Sequence, residues 1–321
     1  MNRINTKALV EGAIFASVTA VLGIMVYYMP FFSLLGMFWP TPIIIIGFRN
    51  GLKVSFVSAV VAALIVAIFT EPFSGLYLFL VFGIAGIIMG YLMHKKANPA
   101  LNITVSGLVL AVCSVFGILF GFFLAGQSAG QAMEQMMSIM SESIDSAASL
   151  YKSMGISEEQ LNSTITTMKE SLVAIQHVIP TLFLLSGMFF SFVNYKFVKV
   201  VLKRMKYEVA DVKPFSQWRV PNNFSLGMLV ILLLSMVATY FKVPNMQTVQ
   251  INIIYIIKWV FTIIGLSAAY FLLDKYRISK ALKVIIMFFL FTSLSNYLAL
   301  IGLIDTVFDF RKLNKRHIGG I

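Results

Sequence analysis

Charge is what this chain has least of. Only 12% of its 321 residues are Asp, Glu, Lys or Arg, where a soluble domain carries about 25%, so an extensive water-facing surface is excluded. Cysteine is nearly absent as well. Cys113 stands alone, which rules out a disulfide framework. The three histidines, His94, His177 and His317, lie too far apart in the chain to share a metal-ligand spacing. No H-E-x-x-H, Walker A, G-x-S-x-G or paired intramembrane aspartate pattern occurs. The expectation is a protein that is not an enzyme and carries no metal or cofactor.

Apolar sequence is what the chain has in excess. It makes up 59% of the residues, with a mean hydropathy of +0.88, and it comes in long blocks. These run over 8–29, 31–48, 54–70, 74–93, 102–125, 180–202, 225–241, 250–273 and 284–304. At about 20 residues per crossing, they predict an all-α, polytopic integral membrane protein of 8–9 transmembrane helices. The first block follows Arg3 and Lys7 and runs directly into further apolar sequence without a small-residue cleavage site. It reads as a retained span rather than a signal peptide. The organisation expected is N-terminal membrane helices 1–5 over 1–125, a polar insert over 126–179, and membrane helix 6 over 180–202. A basic loop over 203–224, C-terminal membrane helices over 225–304 and a basic tail over 305–321 follow.

The net charge of +12 is arranged by topology. With the N-terminus in the cytoplasm, Arg49, Lys53, Lys95, Lys96, Lys203, Arg204, Lys206, Arg277 and Lys280 fall at cytoplasmic ends or loops. Before the tail, Lys152, Lys169 and Lys242 fall outside. That is the bias of a multi-pass plasma-membrane protein, and it does not form a nucleic-acid-binding stripe. Nine crossings would leave Arg311, Lys312, Lys315 and Arg316 outside, whereas eight would bring them in, so the count stays open between them.

The 126–179 insert has its own periodicity. Met133, Met140, Ile144 and Tyr151 recur at helical steps, then Leu161, Ile165, Met168, Leu172, Ile175 and Ile179. Ser157 with Gln160 reads as a capping box after a turn near Gly155. The prediction is an extracytoplasmic helical hairpin continuing the fifth and sixth spans. It either packs on itself or serves as a lid or partner-docking surface.

The second apolar block contains "MFWPTPIIIIGF", residues 37–48. Pro40 and Pro42 have no amide to give to the Gly36 and Phe38 carbonyls, and Trp39 and Thr41, each preceding a proline, are pushed out of helical geometry. Two half-helices are expected, with Thr41 as N-cap and Pro42 in the first turn of the second. Such breaks mark binding sites in transporters, and the alternative is a kink satisfied by neighbouring helices. Lys258, inside "INIIYIIKWVFTII", is costly in a membrane and is expected either to face the bundle interior or to snorkel. Tyr255 and Thr262 share its face. Thr41, Lys258 and Asn296, whose depths agree within a turn, form the candidate ligand-binding set with Trp39 and Tyr255 as walls. Asn194 and Tyr195 lie deep in span six and Asn102 near the start of span five, and either asparagine reads as a helix-joining residue. Glu11 reads as interfacial beside Lys7, and Asp305, Asp309 and Arg311 in "DTVFDFRK" as a solvated charge cluster. Gly12, Ala16 and Ala20 make a flat strip for helix–helix or partner contact.

The strip of span one, "PTP…GFRNG" and the closing "DTVFDFRKL" together resemble the YybS-like membrane proteins, the DUF2232 family, over essentially the whole chain. The first six spans are also similar to the S components of energy-coupling-factor transporters. That second resemblance implies contact of Gly12, Ala16 and Ala20 with an energy-coupling membrane subunit and its ATPases. The external hairpin and extra C-terminal spans depart from it. The function expected is capture or transport of a small solute from outside the cell. The competing reading is a non-transporting scaffold or regulator acting through its small-residue helix face and hairpin.

Overall fold

Apolar runs this long leave the backbone no partner but itself, so helix is the expected outcome. The computed structural model describes residues 5–154, 158–221 and 223–313, and among these every regular element is helical. They are α1 (Thr6–Tyr28), a 3₁₀ segment (Pro30–Phe38), α2 (Thr41–Asn50), α3 (Leu52–Phe69), α4 (Pro72–Leu78), a π-turn (Phe79–Gly83) and α5 (Ile84–His94). There follow α6 (Pro99–Leu124), α7 (Ala129–Ser153), α8 (Glu158–Arg204), a 3₁₀ turn (Phe215–Gln217), α9 (Phe224–Tyr240), α10 (Met246–Lys275), α11 (Lys280–Ser293) and α12 (Ser295–Phe308).

Six of the described helical stretches are long and apolar enough to cross a membrane, and α11 with α12 makes a seventh if the pair is one span. The two other expected spans take different forms. Block 31–48 is nine residues of 3₁₀ helix and a ten-residue α-helix, and block 225–241 is a 17-residue helix. Block 284–304 is bent by 103° between α11 and α12. Leu294 at that bend has φ −125° and ψ 25°, outside helical geometry.

The polar insert is helical as expected, with one difference on the side of the fifth span. Ser128 and Gln131 form a reciprocal capping box at the start of α7, while Gly126 ends the preceding stretch with φ +70°. The fifth span therefore stops before the hairpin begins. On the other side α8 is continuous for 47 residues, about 70 Å at 1.5 Å per residue, so hairpin arm and sixth span are one helix. The expected turn at Gly155 and the Ser157 cap lie outside the described residues. Lys169 on α8 meets Asp145 on α7 at 2.7 Å.

The chain divides into two compact units, Met1–Val173 with Leu182–Asp211, and Ala174–Thr181 with Val212–Ile321. In unit 1, the small face of α1 (Gly12, Ala16, Thr19, Ala20, Gly23) is buried. It lies against α3, where the Ser58 hydroxyl donates to the Gly12 carbonyl at 3.0 Å. A Cβ on Gly12 would come 2.8 Å from that hydroxyl oxygen, so glycine sets the approach of the two helices. The strip is thus covered within the unit and offers no open docking face. Asn102, fully buried, donates to the Met89 carbonyl at 3.1 Å and ties α6 to α5. Ser191 donates to the Ile103 carbonyl at 2.9 Å and ties α8 to α6.

In unit 2, α10 and α12 pack backbone to backbone. A Cβ on Gly302 would overlap the Phe261 carbonyl, and one on Gly265 the Leu298 carbonyl. Proline at 180 leaves the Gln176 carbonyl without its helical donor. One residue along, the Asn252 carboxamide of α10 inserts between the Thr181 amide and the His177 carbonyl. It accepts from the Thr181 amide at 3.0 Å and donates to the His177 carbonyl at 2.5 Å. The carboxamide thereby takes the place of the Thr181–His177 backbone hydrogen bond next to the proline.

Candidate functional site

The break in the second apolar block is where sequence and geometry meet in unit 1. Trp39 and Pro40 separate the 3₁₀ segment from α2. Pro40, rather than Thr41, occupies the N-cap position, and no side chain caps the helix. The reason is competition. The Thr41 hydroxyl donates to the Asn194 side-chain oxygen at 3.1 Å, so it is not aimed at the α2 amides. Asn194 in turn donates to the Met37 carbonyl at 2.9 Å, at the end of the interrupted segment, and to the Phe190 carbonyl at 3.0 Å. A buried carboxamide on α8 thereby satisfies a carbonyl that the broken helix frees, as burial of a polar backbone group demands. Trp39 is fully buried, and its indole N–H has no partner among the described residues. Such an orphaned donor costs about 1–3 kcal/mol. Beside the break, Pro40, Ile44, Gly86, Ser106, Ser191 and Asn194 contribute to a cavity of about 20 Å³, room for one water.

The five candidate ligand residues divide between the units. Trp39 and Thr41 lie in unit 1, and Tyr255, Lys258 and Asn296 in unit 2. In unit 2, Thr262 donates to the Lys258 carbonyl at 2.8 Å and to the Ser295 carbonyl at 3.3 Å. The Lys258 turn of α10 therefore meets the α11–α12 break, next to Asn296. Lys258 is half-buried, whereas Tyr255 and Asn296 are exposed. Asn194, read from sequence as a helix-joining residue, proves to be the polar partner of Thr41. Its position deep in an apolar helix is the signal that marks it.

Two charge clusters differ from their expected form. Glu11 does not pair with Lys7. Its carboxylate accepts from Arg49 at 2.7 Å and from Asn50 at 2.9 Å, joining α1 to the end of α2. The Asp305–Arg311 pair is buried rather than solvated, each residue near 5% exposed (6% and 5%). All five guanidinium N–H groups are used. Nε and Nη2 donate to Asp305 Oδ2 at 2.9 and 2.7 Å, Nη1 to the Ser216 carbonyl and Ser267 hydroxyl at 2.8 and 2.7 Å, and Nη2 to the Trp218 carbonyl at 2.9 Å. Sequence spacing could not show this, because the partners lie up to 95 residues away. Asp211, in the loop after α8, takes an ion pair from Lys199. That hydrogen bond and the charges of Lys199, Lys196 and Lys203 hold its carboxyl below the usual carboxylate range. Among the described residues no three His, Cys, Asp or Glu side chains converge as metal ligands.

Long apolar helices, interrupted segments and polar side chains buried between helices define a multi-pass helical membrane protein. The family is then settled by comparison: residues 17–306 match the family described as "Predicted membrane protein (DUF2232)", and the chain belongs to that family. It is similar to "Uncharacterized protein YybS" of Bacillus subtilis (strain 168), 29% identical over 310 residues that cover 95% of this chain and 98% of the relative. No solved structure matches.

Proposed function

We propose that this chain is a plasma-membrane substrate-binding or transport protein, similar to an S component, that captures a small solute from the extracytoplasmic side. It would work without a catalytic centre, with its N-terminus in the cytoplasm, 8–9 membrane passages and the α7–α8 hairpin outside. The observation that carries this reading is the broken segment at Trp39–Pro42, lined by the buried Thr41–Asn194 pair and an unpartnered indole N–H. Polar groups and irregular backbone at membrane depth are costly and are concentrated where a solute or ion is handled. A cavity of about 20 Å³ is far below the ~300 Å³ of a typical ligand site, so binding requires the break to open. The bend at α11–α12, set against Lys258, supplies a second interruption of the same kind.

The test is purification of the full chain in mild detergent, followed by mass spectrometry of small molecules released on denaturation. A solute retained by the wild type and lost from Thr41→Val supports the reading. Co-purification of an energy-coupling membrane subunit with an ATPase pair supports the S-component form of it. A second reading, a scaffold or regulator, is favoured by the apolar side chains the hairpin leaves exposed, among them Ile139, Leu150, Met168 and Val173. Recovery of envelope proteins with no solute would select it.

A further inference from the structure

The "GFRNG" motif ends α2 at a cleft that solute capture does not use, ten residues along α2 from Thr41. The cleft encloses about 270 Å³ and is lined by Asn5, Lys7, Glu11, Arg49, Asn50 and Tyr207, with Ala8 at its floor. Among the described residues its one carboxylate is engaged, while several of its donors are not. Both Glu11 oxygens are taken, one by Arg49 and one by Asn50. Arg49 uses Nη2 for Glu11, which leaves Nε and Nη1 without a partner. The Lys7 ammonium and the Tyr207 hydroxyl have none either, among the described residues. Lys7 and Arg49 outweigh Glu11 by one positive charge.

The cleft is also held in shape. Tyr207 packs edge-on against Phe48 at 5.5 Å between ring centroids, and the Arg49 guanidinium lies 5.7 Å from the same phenol ring. Donors of three kinds, the held guanidinium and phenol and the exposed Lys7 ammonium, exceed what a two-oxygen carboxylate would satisfy. They suit an anion with three or four acceptor oxygens, for which Arg and Lys are the usual ligands.

We propose that this cleft binds a phosphoryl group, held by Lys7, Arg49 and Tyr207, with Glu11 fixing the guanidinium. A phosphate-bearing lipid headgroup and free phosphate present the same chemistry, and the test separates them. Thermal unfolding of the purified full chain is followed in a neutral detergent while inorganic phosphate, dioctanoyl phosphatidic acid or uncharged dioctanoylglycerol is added at constant ionic strength. A saturable rise in Tm with phosphatidic acid alone assigns a lipid headgroup, and one with inorganic phosphate as well assigns the free anion. Lys7→Gln, which breaks no contact in the fold, should weaken that binding roughly three- to tenfold, the loss expected for one exposed charge-assisted hydrogen bond. Tyr207→Phe keeps the packing and should weaken it less. The proposal is overturned if neither phosphate probe raises Tm, if dioctanoylglycerol acts as well as phosphatidic acid, or if Lys7→Gln leaves the response unchanged. None of these outcomes depends on whether a solute is captured at the Trp39–Pro42 break.

Discussion

Replacing Arg311 by methionine removes five hydrogen bonds at once and leaves the Asp305 carboxylate buried. In the folded chain that carboxylate already keeps one oxygen, Oδ1, without a partner and commits the other to the guanidinium. Breaking a buried pair from one side costs about 3–5 kcal/mol, because the remaining charge stays in a poor solvent. Arg311→Lys keeps the charge but offers three N–H groups for five bonds, and losing two at the low end of the charge-assisted range costs roughly 3 kcal/mol. Adding Asp305→Leu to Arg311→Met removes the stranded carboxylate. The double variant should therefore be more stable than Arg311→Met alone by about 1–2 kcal/mol, even though the Ser216 and Trp218 carbonyls remain without their donor. The assay is thermal unfolding in mild detergent. Tryptophan fluorescence serves as the readout, since Trp218 lies in the clamped segment and packs against Phe215 at 5.2 Å. A midpoint lowered on the order of 10 °C is expected for Arg311→Met. An unchanged midpoint, or a double variant worse than either single one, would refute the clamp.

Three further outcomes follow from other contacts. Gly302→Ala should destabilise by about 1–3 kcal/mol, because its Cβ overlaps the Phe261 carbonyl. Gly227→Ala, whose Cβ meets nothing within 4 Å, should be neutral or slightly stabilising, and the pair is compared in the same unfolding assay. Asn252→Leu leaves the Thr181 amide and His177 carbonyl without the bridging carboxamide. The cost should be about 2–4 kcal/mol, with faster proteolysis near Pro180 as the readout. Asp211 has a lowered carboxyl pKa, so its contribution to stability is complete above the unfolded value of about 4. It is lost as pH falls through the folded value. Asp211→Asn should therefore lower stability slightly at neutral pH and leave the acid end of the stability–pH profile unchanged, the loss being small because the Asp211 carboxylate is exposed although Lys199 is buried.

Much of the architecture was legible from residue order. The apolar blocks 8–29, 102–125 and 250–273 became α1, α6 and α10, because long apolar sequence must satisfy its backbone locally. Pro40 and Pro42 announced the break in the second block, since a missing N–H is a property of the residue itself. The cap was misassigned for a different reason. Thr41 is a good N-cap by type, yet Asn194 competes for its hydroxyl, and that competitor lies 153 residues away. The bend between α11 and α12 also escaped notice, because "FFLFTSLSNYLAL" contains no proline or glycine to signal it.

The candidate sites divide in the same way. Sequence alone determined that this is a helical membrane protein with a polar helical insert and a broken second segment, because hydropathy, periodicity and proline chemistry act over a few residues. Tertiary structure alone decided which polar groups pair: Glu11 with Arg49 and Asn50 rather than Lys7, Asn252 with the Pro180 turn, and Arg311 with Asp305 and three further groups in a buried clamp. In a low-dielectric interior every buried donor seeks the acceptor that geometry brings nearest. That acceptor is set by how helices cross, which distance along the chain does not record.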